Sequence, residues 1–364
     1  MAISKSTSDS FPVLRNSIYI NTATSGPLSE PLLEWRQEHD LDFLIGGSEA
    51  KSKTHILLKE TRETVARFFN FSAEDVALAP SFSYGLNLLL EGLPKTEKVL
   101  LLNKDYPSLN WPFESRGFDI SYLNIGPDLE SRIYDELKSN EYSVFACSAV
   151  QWLNGFKIDF SFIKKLKKEF PDLLILMDGT QFCGSAQFDF SASGVDVMGA
   201  SGYKWLVSGY GNAFLMVKPE VQHRFELKSS GFGSGRNAKY QKDGRVFCKQ
   251  LEPGHLDSLA FGSLQFSMKS LMDTGLEFIE KHNKEMSHLF KSFAVEHALL
   301  DDYLVDREGH STIFNIKGDD LLFEKLEAEH IICAKRGDGI RLSFHFYNTV
   351  SNVNDVLTVL KRHL

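Results

Sequence analysis

The chain of 364 residues has few cysteines, and none at the spacings that cysteine chemistry needs. Cys147, Cys183, Cys248 and Cys333 stand far apart and form no C-x-x-C pair, which argues against a zinc site or a disulfide framework and suits reduced thiols. Long apolar runs are missing as well. No stretch approaches the roughly 18 residues of a membrane helix, and the opening MAISKSTSDSFPVL has no apolar leader core. These absences predict a cytoplasmic protein. Excess positive charge is also absent: the net charge is −8, so no basic stripe offers itself to nucleic acid. The one lysine-rich run, KKLKKEF at 164–170, fits the solvated face of a helix. What the chain does have is 43% hydrophobic and 24% charged residues, an ordinary globular balance, and 29 phenylalanines. So many large apolar rings imply well-filled cores and a buried contact between subunits. The length predicts one large domain and a smaller one.

After a polar arm at 1–17, short apolar runs alternate with helical stretches. DVALAP (75–80), KVLLLN (98–103), YSVFACSAV (142–150), DLLILMD (172–178), DVMGAS (196–201) and NAFLMV (212–217) read as strands. Their apolarity is continuous rather than alternating, which predicts strands buried on both faces in a mainly parallel sheet wrapped by helices. The fold class is α/β. From 229 to 258 the chain turns polar and glycine-rich, the texture of a functional loop. A long helical pattern over 258–298, two strand-like segments and a final helix make a compact α+β unit. The expected division is an arm at 1–17, a large domain at 18–257 and a small domain at 258–364.

In open α/β sheets, ligands lie beyond the carboxyl ends of the strands. Three groups fall there. Asp178 follows LLILM directly, with Gln181 three residues on; a carboxylate at the end of a buried strand is costly without a cationic or hydrogen-bonding partner. Lys204 lies just past the next strand. PSFSYG (80–85) is a serine-rich turn opening a helix, where backbone N–H groups with Ser81 and Ser83 can cradle a phosphate. An amine, an acid and a phosphate cradle at one sheet edge meet the needs of pyridoxal phosphate. Taken singly, each has a plainer reading. Lys204 can snorkel, Asp178 can cap its turn, and Ser83 can be a helix cap.

LMDGTQ followed by SGYKW resembles the class V aminotransferase family of fold-type I pyridoxal phosphate enzymes, which includes cysteine desulfurases, selenocysteine lyases, kynureninases and isopenicillin N epimerase-like proteins. IYINTATSGPLSE, DYPSLNWPF (105–113), SAVQWLNGFKID (148–159) and GDGIRLSFHFYNT (337–349) extend the resemblance over nearly the whole chain. It implies that Lys204 is the Schiff-base lysine, that Asp178 pairs with the pyridine nitrogen, and that Gln181 bonds the ring's phenolic oxygen. Phe82 (through its backbone) and Ser83 would hold the phosphate together with Ser201 and Tyr203. Arg341 would grip a substrate carboxylate, a bidentate task suited to guanidinium. His255, in EPGHLDS, would reach the partner's cofactor phosphate across a homodimer interface. Arg341 and His255 also have plainer readings, as half of an ion pair and as a loop histidine.

Two departures stand out. Many relatives stack a histidine on the pyridine ring, but the matching position here is Ala149, leaving Trp152 as a candidate aromatic face. Desulfurases need a nucleophilic thiol, and Cys333 lies in HIICAKRG, a strand-like setting that quiets a thiol. Transamination of an α-amino acid is therefore the first expectation. Desulfuration or selenium elimination, racemisation or epimerisation, and a degenerate cofactor-binding protein remain as alternatives.

Overall fold

A computed structural model describes residues 9–234 and 246–363; the start of the expected arm (1–8) and residues 235–245 of the polar loop lie outside the described residues. A short strand β1 (Ile18–Tyr19) precedes the central sheet. That sheet contains β2 (Val76–Ala79), β3 (Lys98–Asn103), β4 (Asp119–Asn124), β5 (Val144–Ser148), β6 (Leu174–Asp178), β7 (Val197–Ser201) and β8 (Ala213–Val217). Their order is β2-β8-β7-β6-β5-β3-β4, and β8 alone runs against its neighbours. Every residue of β2, β5, β6, β7 and β8 is buried, as continuous apolar runs require.

The six apolar runs each became a strand. The seventh strand, β4, went unread because DISYLN mixes polar and apolar residues at the sheet edge, where burial is partial. Two hydrophobic layers cover the sheet. One includes Leu78, Leu100, Phe145, Ile175 and Phe214; the other includes Ala77, Leu101, Val144, Leu176 and Leu215. Adjacent strand residues thus point to opposite faces.

A second sheet holds β9 (Ile313–Lys317), β11 (Ala334–Arg336) and β12 (Gly339–Ser343) in the order β11-β12-β9, all antiparallel. Its core gathers Phe290, Phe314, Leu342, Phe344 and Leu360. β1 pairs with β10 (Ile331–Ile332), so the chain's beginning joins its late part. The long helical pattern after 257 is two helices, Ser258–Thr274 and Leu276–Glu296, broken at Gly275, whose φ of 96° suits glycine. The first of them packs on Ser48–Phe69 and Glu30–Gly46. KKLKKEF lies mainly on the helix Phe160–Glu169, with Ile163 and Leu166 buried and Lys164, Lys165 and Lys168 exposed. Among the described residues no helix is long and apolar enough to cross a membrane.

One buried ion pair ties the polar loop to this frame. Arg62, on Ser48–Phe69, donates to Glu252 at 2.5 and 3.2 Å, and Glu252 also accepts from the backbone N–H of Leu78 in β2 at 2.8 Å. Removing one partner strands the other charge in the interior. Arg62→Ala is expected to destabilise the fold by about 3–5 kcal/mol, read as a lower urea midpoint at unchanged m-value; a midpoint within error of wild type would refute this.

Candidate active site

β5, β6 and β7 end at one edge, where Ser148 pairs with Asp178 and Asp178 with Gly199. Asp178 is the last residue of β6 and only 4% exposed. Its Oδ1 accepts from the backbone N–H of Thr180 at 2.8 Å, while Thr180 Oγ1 accepts from the N–H of Ser201 at 3.2 Å. Burial raises the Asp178 pKa above the usual carboxylate range. The bonds from Thr180 and the charge of Lys204 oppose that rise, and Asp105 adds to it.

Lys204 sits three residues past β7, 4% exposed. Burial pushes its ammonium below the ordinary lysine range, with Asp178 opposing and Arg341 and Arg336 assisting. The turn that carries it closes on itself: Gly202 N–H donates to Asn212 O at 3.0 Å, Ser208 N–H to Gly202 O at 3.1 Å, and Ser208 Oγ to Asn212 Oδ1 at 2.7 Å. This local closure follows from the reversal into antiparallel β8. Gly26 packs against it, donating to Tyr203 O at 2.8 Å. A Cβ at that glycine would stand 2.1 Å from the carbonyl oxygen of Lys204, so any side chain there would displace the lysine turn.

The remaining residues singled out in the sequence fall as follows. Ser81 caps Phe82–Glu91, accepting from Tyr84 N–H at 3.2 Å; Ser83 lies in the first turn; Phe82 N–H donates to Ser201 Oγ at 2.9 Å. Tyr203 stacks on Tyr210 at 4.6 Å. Gln181 donates through Nε2 to Ala23 O at 3.0 Å and accepts from Trp205 Nε1 at 2.8 Å, which leaves one amide N–H without a partner among the described residues. Ala149 is buried and donates its N–H to Asp178 O at 2.9 Å. The Tyr106 ring lies beside the amine, its centroid 5.3 Å from Lys204 Nζ; that of Tyr203 lies at 5.4 Å. Trp152 packs edge-on against Tyr106 at 5.9 Å. His255 is exposed, with its ring 5.4 Å from that of Phe232.

Arg341, in β12, is 3% exposed. Its Nη1 donates to Trp152 O and its Nη2 to Thr24 Oγ1, both at 2.7 Å, and Nε has no partner among the described residues. Among the described residues it has no carboxylate partner, so the plainer ion-pair reading falls away. Burial, with Arg336 nearby, pulls its pKa down to about 10. A buried guanidinium without a counter-ion is a site for an anionic ligand.

β12 stops at Ser343, and Phe344, His345, Phe346 and Tyr347, which follow it, are all buried. His345 meets Trp205 O at 2.9 Å, and burial lowers its pKa to about 3. All four cysteines are buried. Cys333 lies between β10 and β11, where burial pushes its thiol up to about 12.

Sequence reasoning missed Tyr106, Thr180 and Thr24. Each lies inside a segment noted for its resemblance, but only contacts across elements give it a task. Five buried polar side-chain atoms lack a partner among the described residues, and three of them cluster here: Asn21 Oδ1, Trp152 Nε1 and Arg341 Nε. Such atoms are normally satisfied, so their concentration marks a place made for a polar ligand.

Residues 44–356 match the family described as Aminotransferase class-V. The chain belongs to that family. Its cofactor is pyridoxal phosphate, and the buried amine, the acid at the strand end and the helix-opening turn fit it. A probable cysteine desulfurase of Methanothermobacter thermautotrophicus is 24% identical, the match covering 94% of this chain and 93% of the relative. The fold-type I architecture is shared with the apo cysteine desulfurase of Thermococcus onnurineus NA1, with a TM-score of 0.86, 18% identity, and 100% of this chain and 98% of that one covered. It is shared also with the cystine C–S lyase C-DES in complex with its product cysteine persulfide, with a TM-score of 0.84, 20% identity, and 96% and 98% covered.

With Lys204 in the Schiff-base role that the family resemblance implies, capture of pyridoxal phosphate by the apoprotein requires its neutral amine. The pH midpoint of the capture rate, followed by visible absorbance in a stopped-flow mixer, is therefore expected below 10.5, the ordinary lysine value. Asp178 favours the ammonium, so Asp178→Asn is expected to move the midpoint lower still. An upward shift, or none, would contradict this reading of the pair.

Proposed function

We propose that this enzyme is a carbon–sulfur lyase acting on a cysteine-type α-amino acid, without a protein thiol in the reaction. The observation that carries the amino-acid half of this reading is Arg341, a buried guanidinium with no carboxylate partner among the described residues, on the same site as Lys204. The relatives named above favour sulfur chemistry over the transamination that the sequence first suggested. The quiet Cys333 selects among sulfur routes: a thiol held up to about 12 supplies little nucleophile near neutral pH, and elimination needs none.

Bound pyridoxal phosphate supplies an electron sink that acidifies the α-hydrogen of an attached amino acid. In this reading Asp178 holds its carboxylate against the cationic ring nitrogen, and Gln181 offers its spare N–H to the phenolic oxygen. The first-turn amides of Phe82 and Ser83, with Ser201 and Tyr203, hold the phosphate at a helix N-terminus. Arg341 clamps the substrate carboxylate. Lys204, whose ammonium burial holds below the ordinary lysine range, takes the α-proton as the free amine, and the β-sulfur leaves with the electron pair of its bond to carbon. With L-cystine and one water the products are pyruvate, ammonia and cysteine persulfide, and no oxidant is consumed. The reading includes a homodimer with His255 facing the partner's site; exposed Leu44, Ile45 and Phe232 give a second copy apolar surface to cover.

The assay supplies L-cystine and L-cysteine and measures pyruvate, ammonia and alanine. Pyruvate and ammonia are expected, lowered by roughly 10²–10⁴-fold in Lys204→Ala and left close to wild type in Cys333→Ala. Alanine formation that Cys333→Ala abolishes would establish sulfur transfer to the protein instead. A keto-acid product that appears only with an added amino acceptor would restore transamination.

A further inference from the structure

Two buried donors of this site have no acceptor among the described residues, and they belong to two residues in direct contact. Arg341 Nε is one, and the indole Nε1 of Trp152 is the other. The two residues are joined, since Arg341 Nη1 donates to the Trp152 carbonyl oxygen at 2.7 Å. The Trp152 ring packs edge-on against Tyr106 at 5.9 Å, and the Tyr106 ring lies 5.3 Å from Lys204 Nζ. The indole is thus one ring removed from the Lys204 amine.

A buried N–H without an acceptor costs about 1–3 kcal/mol. An indole N–H only donates, so what satisfies it must be an acceptor. The turn that carries Trp152 is built tightly: Gln151 Oε1 accepts from Leu153 N–H at 3.1 Å, Gln151 Nε2 donates to Lys104 O at 3.1 Å, and Gly155 N–H donates to Gln151 O at 3.0 Å. At Gly155, φ is +75° and a Cβ would stand 2.0 Å from Ile313 O, which holds this turn against β9 of the second sheet. The donor is fixed from both sides.

We propose that Trp152 is a specificity residue whose indole N–H shares the substrate carboxylate with Arg341, so that the site accepts α-amino acids and rejects the corresponding amines. This rests on the amino-acid reading above. A carboxylate has two oxygens and ample lone pairs for both donors, whereas an amine lacking it leaves both donors buried and unpaired. That asymmetry is a strong source of discrimination.

The test uses the pyridoxal phosphate-loaded enzyme and two probes that differ only by the carboxylate, L-alanine and ethylamine, with binding followed by visible absorbance. Wild type is expected to bind L-alanine far more tightly than ethylamine. Trp152→Phe keeps an apolar ring and removes the N–H; it is expected to weaken L-alanine binding about tenfold while ethylamine and pyridoxal phosphate affinities hold. Equal L-alanine binding by the variant overturns the role of Trp152 alone, and a matching loss of pyridoxal phosphate affinity overturns it too. A wild-type spectrum untouched by L-alanine would sink the amino-acid reading itself. Should Trp152→Phe fail to fold, ¹⁵N-labelled wild type decides. The chain has 4 tryptophans; one indole signal shifting with L-alanine and not with ethylamine supports the proposal, and none shifting refutes it.

Discussion

The site depends on a charged pair held out of water: a lysine amine and an aspartate at the ends of adjacent strands, each 4% exposed. Isolation in the interior would discharge either group. Together, burial brings their proton affinities toward each other, the acid upward and the amine downward. The rest of the architecture serves that pair. The seven-stranded sheet delivers both groups to one edge. Thr180 links them through Asp178 Oδ1 and the Ser201 N–H, and Gly26 lets an early loop close over the lysine turn.

Much of this was legible in the sequence, for a definite physical reason. Strands buried on both faces need uninterrupted apolar residues, so LLILMD and VLLLN announce themselves, and a charged group at the end of such a run stands out. Edge strand β4 carries no such signal. Nor does Tyr106, since proximity to Lys204 comes from β3 and β7 ending on one side of the sheet, a property of strand order that spacing cannot express. The ring beside the amine follows β3.

The chemistry of the cysteines resolves a tension that sequence alone left standing. A strand-like setting for Cys333 spoke against thiol chemistry, while relatives in the family include probable cysteine desulfurases. Both facts fit an enzyme that breaks a carbon–sulfur bond with its lysine and leaves its own sulfur inert. Under the proposed lyase reading, the buried position of Cys333 between two short strands is a matter of packing, and the proposed functional weight falls on the donors around Arg341.

The reversal from β7 into β8 has a consequence for how the site comes into being. It lets the lysine turn form from residues close along the chain, Gly202 to Asn212. The setting of Arg341 is different in kind: it reaches residues 189 and 317 positions away. Contacts of such sequence separation form late in folding and are vulnerable to subglobal opening. With Lys204 and Arg341 in their proposed roles, a partly opened molecule keeps its amine while losing the means to choose what reacts with it. On that proposal selectivity is the first property lost on loosening, and reactivity the last.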